Sequence, residues 1–105
     1  MKPVLLTPAA KQDRRDVVLY YRTEVGARVA KKLVGAMKKA LHALEQQPGI
    51  GSPAIGKELD IDGLRAWRLD GFPLLLWYFE RADHLLVVRL VWQRQDSEYL
   101  AVVDD

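Results

Sequence analysis

Apolar residues in the N-terminal half of the chain recur at the spacing of two amphipathic helices. The first helix is predicted within residues 7–26, where Thr7 is a good N-cap and Pro8 takes a position that needs no N–H donor. The second is predicted over residues 27–47, with an apolar face opposite a row of lysines. Because Gly26 breaks the pattern between them, the two helices should form an antiparallel helical hairpin.

Apolar runs of strand length dominate the rest of the chain. Residues 48–63 are rich in Gly and Pro, and we expect them to form a loop. Asp70-Gly71 stands between two extended runs, which predicts a tight hairpin with positive φ at both central residues. The predicted strands are residues 2–6, 64–69, 72–80 and 84–93. The order β-α-α-β-β-β predicts an α+β fold, in which the helical hairpin packs on a mostly antiparallel sheet within a single domain, residues 1–105.

The last two strands raise the question of what covers the sheet. Residues 71–92 hold two nearly unbroken apolar runs, whereas a strand with one wet face should alternate. The helical hairpin can shield only one face, and a bare second face would be costly. We expect the cover to be either the "YLAVV" of residues 99–103, folding back, or another chain.

Charge is unevenly distributed along the chain, although the net charge is only +2. Residues 1–45 carry ten basic and four acidic side chains, and residues 46–105 carry six basic and ten acidic ones. The basic half is either a solvated helical face or a surface for nucleic acid or an acidic protein. No apolar run is long enough for a membrane helix, and the N-terminus turns charged too early for a signal peptide, so we expect a cytoplasmic protein without membrane contact.

The chain offers few groups for nucleophilic or metal-assisted catalysis. It has no cysteine, and its two histidines, His42 and His84, stand far apart, so we expect no metal site and no cofactor. Arg89 interrupts an apolar strand, where it either binds a ligand or pairs with an acid on a neighbouring strand. The groups that could bind phosphate without a metal are Lys57, Arg65, Arg68, Arg89, Arg94 and Tyr99.

A set of short motifs, in a fixed order along nearly the whole chain, carries a family resemblance. The motifs are the spacing Ala10, Asp13, Val17 and Tyr20, then Gly26, Pro48-Gly49 at a helix end, Leu64-Arg65, Phe72-Pro73, Tyr78, and Arg89 followed by Arg94-Gln95-Asp96. Together they resemble the RelE/ParE family of toxins from bacterial type II toxin-antitoxin modules. Phe72-Pro73 is more similar to the ParE branch than to the RelE branch.

The resemblance implies a RelE/ParE-like fold and a growth-arresting toxin that an antitoxin holds inactive. ParE-like members poison DNA gyrase, whereas RelE-like members cut mRNA on the ribosome. We expect a ParE-like plasmid-stabilisation toxin that acts by protein contact and not as an enzyme, and the toxin-antitoxin complex could bring copies together as a homo-oligomer. The alternatives are a metal-independent endoribonuclease and a binding module whose basic helical face contacts nucleic acid.

Three departures from the family pattern bear on these alternatives. The strand "PLLLWYFE" carries no basic residue, whereas RelE-type cleavage uses an arginine there, and this argues against a ribonuclease. Trp92 stands where many relatives have histidine, and Arg14 stands where the family usually has leucine. The difference at Trp92 leaves the target open.

The resemblance implies three sets of site residues. The set expected to bind the target is Arg65, Arg94, Asp96 and Tyr99. The set expected to bind the antitoxin, together with the helical faces and an exposed sheet edge, is Tyr20, Tyr21 and Trp92. The catalytic set, should the chain be a ribonuclease, is Lys57, Arg65, Arg94 and Tyr99.

Overall fold

The computed structural model describes residues 2–93, which form three helices and four strands. The elements are β1 (Val4–Leu6), α1 (Pro8–Glu24), α2 (Ala27–Gln46), α3 (Ala54–Leu59), β2 (Arg65–Arg68), β3 (Leu74–Glu80) and β4 (Leu85–Trp92). The strand order across the sheet is β1-β4-β3-β2, with β1 parallel to β4 and the other two pairs antiparallel. The predicted α+β fold, a helical hairpin on a mostly antiparallel sheet, is confirmed.

Both long helices begin and end close to their predicted limits. The Thr7 hydroxyl accepts a hydrogen bond from the backbone N–H of Ala10 at 3.1 Å, which confirms the N-cap. The same hydroxyl donates to the carbonyl of Val88 at 2.9 Å and so joins the start of α1 to β4. Gly26, with φ of 134°, makes the turn between α1 and α2.

The core lies between the helical hairpin and one face of the sheet. In β3, Leu74, Leu76 and Tyr78 are fully buried and point to this face, whereas Leu75, Trp77 and Phe79 alternate with them and are half-buried. The hairpin and β4 supply the other buried apolar side chains, which include Ala10, Val17, Tyr21, Ala30, Leu33, Met37, Ala40, Leu44, Leu85, Val87 and Leu90.

The second face of the sheet keeps apolar side chains that are only partly covered. On β1, Leu5 is 50% exposed, and Leu86, its partner on β4, is half-buried. Trp77 on the same face has a ring N–H that is shielded from solvent and finds no acceptor within residues 2–93. The side chains of the apolar strands therefore alternate in burial although they do not alternate in polarity. One expected cover of the second face, residues 99–103, lies outside the described residues.

A β-bulge interrupts the pairing of β3 with β4. Trp77 lies opposite Arg89 and Tyr78 lies opposite Val87, so Val88 is the extra residue on β4. Because the bulge shifts the alternation by one residue, the buried positions of β4 are Leu85 and Val87 and then Leu90.

The segment of residues 48–63 was expected to be a loop, and this expectation is wrong in part. Ala54–Leu59 forms the short helix α3, which begins after Pro53 and ends at Asp60 in the left-handed region, with φ of 56°. The Ser52 side chain accepts from the N–H of Ala54 at 3.1 Å. A helix of this length shows no apolar periodicity in the sequence, and its contact with β2 is what stabilises it.

The hairpin between β2 and β3 also differs from the prediction. Of the two central residues only Gly71 has a positive φ, 83°, and the N–H of Phe72 donates to the carbonyl of Leu69 at 3.3 Å. This is the geometry of a type II turn, and β3 begins only at Leu74. Pro73 cannot donate to the strand ladder, and Phe72 turns its buried ring toward Tyr21, so neither residue joins the strand.

Gly56 provides a first test of this packing. A Cβ at position 56 would lie 2.5 Å from the carbonyl oxygen of Leu64 and 2.8 Å from that of Ile61. Gly56→Ala should therefore lower the free energy of unfolding by about 2 kcal/mol, measured by urea denaturation. The control is Gly35→Ala in α2, where the added Cβ meets nothing within 4 Å and should stabilise by roughly 0.5–1 kcal/mol. Equal effects of the two substitutions would contradict the close packing of α3.

Candidate partner-binding site

An aromatic cluster joins the second half of α1 to the end of β4. The ring of Trp92 stacks on Tyr21 with centroids 5.8 Å apart and receives Tyr20 edge-on at 5.3 Å. Phe72, in the turn before β3, packs edge-on against Tyr21 at 5.3 Å. We call these four residues the aromatic cluster. Edge-on and offset contacts of this kind hold the rings in a fixed arrangement.

The aromatic cluster brings together the three residues expected to bind an antitoxin. Tyr20 is 48% exposed and presents its ring to solvent, whereas Tyr21 is buried and belongs to the core. Burial raises the pKa of the Tyr21 phenol, and its neighbour Tyr20 raises it further. A partner can therefore touch Tyr20 and Trp92 directly and Tyr21 only indirectly. The sequence analysis did not include Phe72 in the antitoxin-binding set, although it noted the Phe72-Pro73 motif.

Arg65 is held by the loop that precedes α3. Its guanidinium donates to the carbonyl of Gly51 at 2.7 Å and lies 3.4 Å from that of Gly49. The exposed Lys57, on α3, lines the same open depression as Arg65. These are the two ribonuclease candidates that the structure brings together. The other predicted target-binding or catalytic residues lie outside the described residues: Arg94, Asp96 and Tyr99.

Tyr78, on β3, is hydrogen-bonded to the same loop, at Pro48 and Gly51. Its buried hydroxyl donates to the carbonyl of Pro48 at 2.7 Å and accepts from the N–H of Gly51 at 2.9 Å. Burial raises the pKa of the Tyr78 phenol, and the bond from Gly51 acts in the opposite direction. The loop that positions Arg65 is therefore tied to β3 by the Tyr78 hydroxyl and to β2 by the backbone pairing of Ser52 with Ala66.

Arg89 pairs with an acid from a helix, so the expectation of a neighbouring strand is wrong. Its Nε lies 2.7 Å and its Nη2 3.1 Å from the two carboxylate oxygens of Asp13, on α1. The same carboxylate accepts from the backbone N–H of Leu90 at 3.0 Å. The hydrogen bond to Asp13 raises the pKa of the Arg89 guanidinium, although burial acts against it. Asp13 was noted only as part of a motif, because its partners are remote in sequence.

The described part of the chain contains no cluster suited to a metal. Within residues 2–93 no three His, Cys, Asp or Glu side chains come together as ligands would. Over the same residues, no helix has the length and apolar character needed to cross a bilayer.

A helical hairpin on a four-stranded sheet, with an aromatic cluster where α1 meets β4, defines this chain as a small α+β protein. The model of the family "ParE toxin of type II toxin-antitoxin system, parDE" matches residues 4–98. The chain therefore belongs to the ParE toxin family.

The fold of the chain also resembles a solved structure. The fold is similar to that of a chain from a structure described as the chromosomal ParDE toxin-antitoxin system from P. aeruginosa, with a TM-score of 0.74 and 20% sequence identity. That match covers 88% of this chain and 96% of the other. None of the curated proteins searched matches the sequence.

Proposed function

We propose that this chain is a growth-inhibiting toxin that binds DNA gyrase and is neutralised by a cognate antitoxin. The observation that carries the proposal is its membership of the ParE toxin family over residues 4–98. In the proposal, residues 1–105 act as one cytoplasmic domain, and the target is recognised by contact, with Arg65, Arg94, Asp96 and Tyr99 as the contacting residues.

The chemistry of the middle strand favours protein contact over RNA cleavage. The side chains of β3 that alternate with its buried ones are Leu75, Trp77 and Phe79, and none of them carries a positive charge or can transfer a proton. Arg65, the arginine of the ribonuclease set that lies within the described residues, already donates a hydrogen bond to the carbonyl of Gly51. A phosphate ligand would have to compete with that contact.

The aromatic cluster supports an antitoxin contact near the end of β4. Tyr20 and Trp92 present amphipathic rings at a partly exposed position, and such rings are enriched in protein interfaces. Tyr21, which packs against Phe72, contacts both rings, so little side-chain freedom would be lost on binding.

The test is controlled expression with and without the antitoxin gene that the proposal expects in the neighbouring reading frame, followed by a supercoiling assay with purified gyrase. We expect growth arrest, loss of supercoiling and intact transcripts, all relieved by co-expression of the neighbour. Lys57→Ala separates the two mechanisms, because Lys57 is exposed and lies in the ribonuclease set but not in the gyrase set. This variant should arrest growth as the parent does.

Two results would count against gyrase as the target. Cleaved transcripts together with normal supercoiling would establish the ribonuclease alternative, provided that Lys57→Ala abolishes the cleavage. Harmless overproduction in a host without the neighbouring frame would remove toxicity itself from the proposal.

A further inference from the structure

The guanidinium of Arg65 is held along one edge and free along the other. Its Nη1 donates to the carbonyl of Gly51 at 2.7 Å and, at 3.4 Å, to that of Gly49. Within residues 2–93 its Nε and Nη2 have no hydrogen-bond partner, and no carboxylate pairs with it. The half-buried side chain lines an open depression of about 500 Å³ beside α3, so the Nε–Nη2 edge is available to a ligand.

Gly51 sets the direction in which the guanidinium points. This buried glycine accepts from Arg65 through its carbonyl and donates its N–H to the Tyr78 hydroxyl at 2.9 Å. The next residue, Ser52, pairs with Ala66 on β2 through two backbone hydrogen bonds of 2.9 Å each. A Cβ at position 51 would lie 2.6 Å from the Tyr78 hydroxyl oxygen and 3.0 Å from the Ala66 carbonyl oxygen, so the close approach requires glycine.

The free edge of the Arg65 fork suits a planar anion with two oxygens. Two parallel N–H groups match a carboxylate, and a guanidinium that is already oriented loses little side-chain freedom on binding. The chain itself shows this geometry elsewhere, since Nε and Nη2 of Arg89 donate to the two carboxylate oxygens of Asp13 at 2.7 and 3.1 Å. A phosphate that also engaged Nη1 would have to displace Gly51, whereas a carboxylate on the free edge would not.

The charges around the depression distinguish a protein carboxylate from a nucleic acid. Two cations, Lys57 and Arg65, line it together with two acids, Asp60 and Asp62, so the lining side chains have no net charge. A polyanion would meet both aspartates as well as the cations. A protein surface can place one acid at Arg65 and keep basic or neutral groups at the aspartates.

We propose that Arg65 binds a carboxylate side chain of the protein target through its Nε–Nη2 edge, and that Gly51 and Tyr78 are positioning residues for this contact. The inference rests on the proposed function, in which Arg65 contacts the target, and it adds the chemical group that is recognised. A lysine at position 65 would keep the charge but could not bond to Gly51 and also hold two parallel donors toward a carboxylate.

The first test measures how much purified full chain is needed for half inhibition of gyrase supercoiling. Arg65→Lys should raise that concentration about tenfold, close to the effect of Arg65→Ala, because lysine has no fork. Tyr78→Phe should raise it about three- to tenfold, since the guanidinium must then be immobilised on binding. The matched control is Asp13→Ala, which also lowers stability but acts at Arg89 and Leu90, and it should leave the concentration unchanged.

Acetate provides a carboxylate probe that does not depend on gyrase. In NMR spectra of the full chain, the Nε–H signal of Arg65 should shift as acetate replaces chloride at constant ionic strength. The reference is the Nε–H of Arg68, which already donates to the carbonyl of Phe72 at 3.3 Å and should move less. In Tyr78→Phe the acetate concentration at half-saturation should be about threefold higher or more.

Three results would overturn the proposal. The first is full inhibition by Arg65→Lys, because charge alone would then suffice. The second is an equal loss of inhibition in Asp13→Ala and Tyr78→Phe, which would reduce the role of Tyr78 to stability. The third is an Arg65 signal that acetate leaves in place, or that a short single-stranded RNA shifts more than acetate does. If the parent chain does not inhibit gyrase, the proposed function fails, and the acetate titration still decides the geometry of Arg65.

Discussion

Tyr78→Phe should lower the free energy of unfolding by about 3 kcal/mol, since it removes the hydroxyl that bridges Pro48 and Gly51. The substitution keeps the ring and its packing. It leaves a carbonyl and an N–H without their partner, and each such group costs about 1–3 kcal/mol when water cannot reach it. Urea denaturation of the two proteins gives the difference directly.

The control for Tyr78→Phe is Tyr20→Phe, because Tyr20 is 48% exposed and water can replace any bond to its hydroxyl. We expect that change to stay within about 0.5 kcal/mol. A loss below about 1 kcal/mol for Tyr78→Phe would contradict the bridging role of the hydroxyl.

Alkaline pH offers a second measurement on Tyr78. Its pKa in the folded protein is raised by burial above the ordinary value of 10.0, at which the unfolded chain ionises. The neutral phenol therefore contributes stability that is complete below pH 10.0 and is lost as the pH rises toward the folded pKa. Tyr78→Phe should lose stability less steeply above that pH than the parent.

Asp13→Ala should destabilise the fold by about 2–3 kcal/mol, the second large effect that we expect. Strand β1 pairs with β4 only as far as Val87, so the N–H of Leu90 lies at an edge that no strand within residues 2–93 covers. The Asp13 carboxylate, only 14% exposed, accepts from that N–H and from Arg89. Without it, both donors lose their partner.

Three comparison variants separate the parts of this contact. Asp16→Ala, one turn further along α1, removes an exposed acid and should change stability by less than about 0.5 kcal/mol. Arg89→Ala should cost about 1 kcal/mol or less, since the Arg89 side chain is 52% exposed and its ion pair is screened. Asp13→Asn keeps an acceptor for Leu90, so its loss of stability should lie between zero and that of Asp13→Ala.

Hydrogen exchange would locate the loss, because the Leu90 amide should exchange faster in Asp13→Ala than in the parent. Equal losses of stability for Asp13→Ala and Asp16→Ala would contradict the role of the Asp13 carboxylate.

More of the fold than of the candidate site could be predicted from the sequence. Thr7, Pro8 and Gly26 define helix limits through contacts within a few residues, so the limits of α1 and α2 could be predicted. The meeting of Tyr20 and Tyr21 with Trp92 was expected only through a family resemblance, since nothing local links residues so far apart. The extent of Tyr21 burial, which limits its role, required coordinates.

The sequence by itself determined the two long helices, the strand-forming runs and the excess of apolar sheet, because periodicity and capping act between near neighbours. Only the tertiary structure decided where α3 forms and that Val88 bulges. It also decided that Asp13 accepts the edge N–H of Leu90, 77 positions later, and that Tyr78 bonds to a loop 30 positions earlier. Such contacts join groups that come together only when the chain has folded, and no spacing along the sequence encodes them.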